Sequence, residues 1–127
     1  MNKKICIVED DQDWLEAISL SLEDEGFEVI PATKSSQIAN KLNGTEKTPD
    51  LFIFDLFLSG ENGKDLSLQV KSNDLTKDTP VILISAIPDL AKQAQQAKAD
   101  DFLAKPFEID KLITKISQIL NQSQTLN

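Results

Sequence analysis

Apolar residues fall into two kinds of run that alternate along the chain. Ile5 to Val8, Leu51 to Phe54 and Val81 to Ile84 are short and unbroken, and Phe27 to Ile30 and Phe102 to Ala104 complete the set. Unbroken runs of this length predict strands covered on both faces. Between them, apolar residues recur every three or four positions, the spacing of a helix with one buried face. The first such stretch carries Leu15, Ile18 and Leu22, with Asp13 as candidate cap and Gly26 as stop. Pro31 is expected to end the second strand. A short helix starting at Ser35 or Ser36 carries Ile38, Ala39 and Leu42 and closes at Gly44. A polar loop from Ser59 to Gly63 leads into a helix with Leu66, Leu68 and Val70 partly inward. Pro88 suits the first turn of a fourth helix running to about Lys98, whose residues Gln93 to Lys98 read as a solvated face. Ile109, Leu112, Ile113, Ile116, Ile119 and Leu120 mark the fifth and clearest helix. Five strand–helix units predict an α/β fold, a parallel sheet with helices on both faces. One domain is expected over residues 1–122, with 123–127 as a frayed tail and no output domain.

Composition narrows the chemistry. The 127 residues fit one domain, and 40% apolar with 27% charged residues is an ordinary globular balance. No apolar run approaches the ~18 residues that a membrane span needs. The apolar run after Lys3 and Lys4 is too short for a signal peptide. A single cysteine, Cys6, forms no internal disulfide and reads as a buried, inert thiol, so the cytoplasm is the expected location. The net charge is −8, all 13 basic residues are lysine, and there is no histidine. Such a chain is poorly suited to grip nucleic acid directly. It also excludes Ser-His-Asp and Cys-His catalysis and histidine-containing zinc sites. What remains is carboxylates, hydroxyls, lysines and a hard metal ion.

Those groups stand in a pattern. Four predicted strands end in a reactive polar residue: Glu9 and Asp10, Asp55, Ser85, and Lys105. Open parallel sheets bind ligands beyond the carboxyl ends of their strands, so residues spread over about a hundred positions converge on one site. Three carboxylates held close repel one another by roughly 1–4 kcal/mol per pair, which a divalent cation relieves. Hard oxygens suit Mg²⁺, which readily engages phosphate. A carboxylate can serve as nucleophile and form an acyl phosphate, and phosphoryl transfer depends chiefly on positioning and charge.

Over nearly its whole length the chain resembles the receiver-domain family of two-component response regulators. The matching pieces are Val8-Glu9-Asp10-Asp11, Asp55-Leu56-Phe57-Leu58 with Gly60 and Gly63, Ile84-Ser85-Ala86, and Ala99-Asp100-Asp101-Phe102-Leu103-Ala104-Lys105-Pro106-Phe107. The resemblance implies a flavodoxin-like (βα)5 sandwich with sheet order 2-1-3-4-5. It implies that Asp55 accepts phosphate from a histidine kinase or phosphotransfer protein. Glu9, Asp10, Asp55 and the backbone carbonyl of Phe57 would hold Mg²⁺. Ser85 and Lys105 would bind the phosphoryl group, and the Lys105-Pro106 peptide would be cis. Phe102 stands where the family has a switching aromatic residue, with plain core as the alternative. Output would pass to a protein target through the face from the fourth strand to the fifth helix. On this reading the chain is not a turnover enzyme, and it engages neither nucleic acid nor membrane.

Three positions depart from the family pattern. Ser59 stands where proline is common, four residues past Asp55, and is expected to loosen the loop. Serine replaces the commoner threonine at Ser85. Ile87 is apolar and, with Phe57, borders the site, which bears on phosphate lifetime. Asp11 reads as loop residue or helix cap, with a third metal ligand as the alternative. Trp14 reads as packing near the acidic cluster. Two other functions remain open. A phosphatase resembling the haloacid-dehalogenase type would use Asp11 and Asp13, but it leaves Asp55 without a job. A phosphate-independent scaffold would not need the intact set of five site residues.

Overall fold

The computed structural model describes residues 2–125, with side chains given through residue 121. The elements run β1 (Lys4–Val8), α1 (Gln12–Asp24), β2 (Glu28–Ala32), a 3₁₀ turn (Ser35–Ile38) leading into α2 (Ala39–Leu42), and β3 (Leu51–Asp55). A small antiparallel hairpin of β4 (Phe57–Leu58) and β5 (Glu61–Asn62) precedes α3 (Gly63–Ser72). Then come β6 (Val81–Ser85), α4 (Leu90–Gln96), β7 (Asp101–Ala104) and α5 (Ile109–Thr125). The main sheet is parallel throughout, in the order β2-β1-β3-β6-β7. With the hairpin strands set aside, that is the expected 2-1-3-4-5.

The apolar strands resolve into two cores because successive side chains point to opposite faces. Cys6, Val8, Phe52, Phe54 and Leu83 meet Leu42, Leu66, Val70, Leu90 and Ala94 on the face covered by α2, α3 and α4. Ile5, Ile7, Ile53, Ile82 and Ile84 meet Leu15, Ile18, Leu22, Leu112, Ile116 and Leu120 on the face covered by α1 and α5. A central strand buried on both sides cannot drift without exposing one core, so the register that aligns Asp55 with Ile84 is firmly set.

Several sequence expectations are corrected. The cap of α1 is Asp11, whose side chain accepts the Trp14 N–H, and Asp13 lies in the first turn. Pro31 lies inside β2 and does not end it; β2 is an edge strand, where a missing N–H costs no ladder bond. The loop 59–63 contains β5 and the start of α3. Pro88 precedes α4, which is shorter at both ends than its pattern suggests. Ala94 and Ala97 within the supposed solvated face of Gln93 to Lys98 are buried. The backbone of α5 continues through Thr125, three residues into the expected tail; residues 126 and 127 lie outside the described residues. No helix among the described residues is long and apolar enough to cross a membrane.

Candidate functional site

The carboxyl ends of β1, β3, β6 and β7 bring Glu9, Asp10, Asp55, Ser85 and Lys105 to one end of the sheet. Lys105 is the hub. Its ammonium donates to Glu9 Oε1 at 2.8 Å and to Asp55 Oδ2 at 2.5 Å. It also lies 4.5 Å from the centre of the Trp14 ring, and Trp14 meets Phe107 edge-on. A backbone tie fixes its place: Lys105 N–H donates to the Ser85 carbonyl at 2.9 Å. The following Lys105-Pro106 peptide is cis. The second Asp55 oxygen, Oδ1, accepts the Phe57 N–H at 2.9 Å. Asp55 is only 8% exposed and Glu9 2%.

Ser85 is buried, and its hydroxyl accepts a long 3.4 Å hydrogen bond from the Ile87 N–H. Among the described residues, that hydroxyl makes no hydrogen bond to Asp55 or Lys105. Phe57 is exposed, and with Leu56, Ile87 and Gln93 it borders a surface hollow of about 270 Å³. A second hollow, about 410 Å³, is bordered by Asp11, Trp14, Ala86, Lys105 and Phe107. Phe102 is not core: it is 36% exposed, near the Lys115 ammonium that pairs with Asp101. Asp11 Oδ1 caps α1 and, among the described residues, Asp11 makes no ion pair with Lys105, which pairs with Asp55 and Glu9.

Glu9 and Lys105 titrate abnormally because they share this pocket. Burial pushes the Glu9 carboxyl up to about 7, against the Lys105 hydrogen bond and with help from the Asp55 charge. Burial alone would lower Lys105, but its bonds to Asp55 and Glu9 outweigh that and raise it further. Cys6 is pushed up to about 12 by burial, so its thiol stays protonated. A pH dependence follows for the metal-free protein. Glu9 rises from an ordinary 4.5 to about 7 on folding, so between those values the native state keeps a proton that the unfolded chain has lost. This group's stabilising contribution is complete below the lower value and is lost as pH rises through the upper one. In urea unfolding with chelator present, wild type should lose stability relative to Glu9→Gln across that window. A constant difference would contradict the assignment.

Among the described residues, no group of three or more acidic, cysteine or histidine side chains lies together as a ready-made metal cluster. Lys105 stands between Glu9 and Asp55, and Asp10 turns its Oδ2 to Ser59. The donor set still fits a hard cation. Glu9 Oε2 is buried without a hydrogen-bond partner, a costly state that a cation or its water would relieve. Asp10 Oδ1 makes no hydrogen bond among the described residues. Glu9, Asp10, Asp55 and the Phe57 carbonyl would be the protein ligands, directly or through water.

Sequence reading missed the partner of Asp10. Ser59 donates to Asp10 Oδ2 from its N–H at 2.8 Å and its hydroxyl at 2.9 Å. Ser35 likewise donates to Glu61 from its N–H at 2.8 Å and its hydroxyl at 2.5 Å. The loop is tied down, not loosened. An unusual hydroxyl beside an acidic cluster was the available signal, but which acid it meets needs the fold.

Comparison with known proteins agrees with this arrangement. The response regulator receiver domain profile matches residues 5–117. The chain is 30% identical to the phosphate regulon transcriptional regulatory protein PhoB of Pseudomonas aeruginosa, over 97% of this chain and 54% of that protein. It spans about half the length of the curated relatives it matches. A CheY-like response regulator receiver domain protein from Methanospirillum hungatei superposes with TM-score 0.88 at 26% identity, covering 100% of both chains. The signal receiver domain of a histidine kinase from Syntrophus aciditrophicus gives 0.85 at 25%, covering 94% of this chain and 91% of that one.

Proposed function

The chain belongs to the response regulator receiver domain family, and from that premise we propose that Asp55 is its phosphate acceptor and Lys105 the charge that receives the phosphoryl group. The observation that carries the proposal is the Lys105 bridge. One ammonium holds a carboxylate from the end of β1 and one from the end of β3, beside an open hollow. Receiver domains take phosphate from histidine kinases or phosphotransfer proteins. On this reading an Asp55 oxygen attacks phosphorus, the phosphorus–nitrogen bond of the donor breaks, and the imidazole leaves with a proton from solvent. Mg²⁺, when bound, neutralises charge on the moving phosphoryl group. Glu9 and Asp10 supply its carboxylates, and the Phe57 N–H steadies Asp55 Oδ1.

The added phosphate would compete with Glu9 for Lys105 and draw in the Ser85 hydroxyl, whose present hydrogen bond is long. That rearrangement would pass to the face formed by β6, α4, β7 and α5, where Phe102 is exposed. The downstream target is a protein that reads this face. The protein is a switch, not a turnover enzyme, and acts in the cytoplasm. Incubation with acetyl phosphate and Mg²⁺ should add one phosphate per chain by intact mass, and chelator should abolish it. No uptake by wild type would favour a phosphate-independent scaffold.

A further inference from the structure

The contact between Ser59 and Asp10 is not accounted for by any of these roles. Ser59 places two donors on a single oxygen of a candidate metal ligand, across 49 positions of sequence. Proline, common at this position in the family, has no N–H and no hydroxyl and could make neither bond. The segment that carries Ser59 is braced. It turns through Gly60, at φ +78°, between β4 and β5. Glu61 is held from Ser35 by two hydrogen bonds, and the Asn62 side chain caps α3 by accepting the Asp65 N–H. The two donors therefore sit on a fixed hairpin. Asp10, by contrast, is half-buried and is paired with no lysine among the described residues.

We infer that Ser59 is a positioning residue for the cation site: its N–H and hydroxyl hold Asp10 Oδ2, so that Oδ1 is the oxygen presented to the ion. The inference rests on Asp10 being a ligand, as proposed above. A free carboxylate on a loop must be ordered when the ion binds, whereas one already pinned by its other oxygen has met most of that cost. Hydrogen bonds behind a metal ligand typically change affinity by ~10–100-fold. Because both bonds fall on Oδ2, the ion need not break them to reach Oδ1.

The test is Mg²⁺ titration of the full chain, wild type against Ser59→Ala and Ser59→Thr, followed by calorimetry and by the fluorescence of Trp14, the single tryptophan. Ser59→Ala should raise the Mg²⁺ dissociation constant about tenfold, and Ser59→Thr, which keeps a hydroxyl, should stay near wild type. All three should melt alike in chelator. Equal or tighter binding by Ser59→Ala overturns the inference, as does a Ser59→Thr chain that binds as poorly as Ser59→Ala. A fall in melting temperature with unchanged affinity makes Ser59 merely structural and also overturns it. If wild type itself takes up no Mg²⁺, Asp10 is not a ligand and the site assignment fails along with it.

Discussion

Asp55→Asn is expected to take up no phosphate from acetyl phosphate and Mg²⁺, while staying folded. An amide oxygen is a poor nucleophile, and the substitution also removes a negative charge facing the cation. The neighbouring acids already have other partners. Glu9 is 2% exposed and bonded to Lys105, Asp10 is pinned by Ser59, and Asp11 caps α1. The fold should survive because Lys105 keeps Glu9 as partner and the shape of residue 55 is unchanged. One local mismatch is unavoidable. Residue 55 faces two donors, the Phe57 N–H and the Lys105 ammonium, and an amide can accept from only one side. That mismatch costs about 1 kcal/mol, partly offset because the like charge beside Glu9 disappears. Melting temperature and phosphate uptake measured on the same preparation separate the two effects. Uptake at the wild-type rate by the folded variant would remove Asp55 from its proposed role.

Gly63→Ala is expected to damage both stability and phosphate uptake. A Cβ on Gly63 would overlap the Asp55 carbonyl oxygen and lie 2.9 Å from its carbonyl carbon. Both are backbone atoms of a buried strand, so no flexible side chain can give way. Gly63 also donates its N–H to the Leu56 carbonyl at 2.9 Å, which seats the start of α3 against the end of β3. Either α3 lifts and loses that bond, or the acceptor's own peptide moves. Forcing atoms into such a site costs about 3 kcal/mol, roughly 10 °C in melting temperature for a domain of this size. Displacing a reacting group by about 1 Å can cost ~100-fold in rate. Gly60→Ala is the control. It meets nothing within 4 Å and suffers only its positive φ, costing about 1–2 kcal/mol, so Asp55 should keep its place. A Gly63→Ala chain with wild-type melting and uptake would contradict the packing argument.

Much of this architecture is legible in the sequence, for identifiable reasons. Strands buried on both faces need unbroken apolar runs, so Leu51 to Phe54 announces β3, and the first charged residue after it marks the carboxyl end of that strand. The same logic locates Glu9, Ser85 and Lys105. What sequence leaves undetermined is set by contacts between distant segments. Asp11 and Asp13 are equally good caps until the path out of β1 decides between them. Pro31 reads as a strand end unless β2 is known to be the edge. Phe102 has core chemistry, but its phase in β7 turns it outward while Leu103 turns in. The Ser59 contact with Asp10 depends on a two-residue hairpin too short to leave a periodic signal.

The central claim is tested most directly by locating the phosphoryl bond. Borohydride reduces an aspartyl phosphate to homoserine, so protein labelled with acetyl phosphate and Mg²⁺, then reduced and digested, can be read by peptide mass spectrometry. The expected result is homoserine at position 55 and at no other acid. Homoserine at Asp10 or Asp11, or phosphate incorporated with no homoserine anywhere, would contradict the assignment of Asp55.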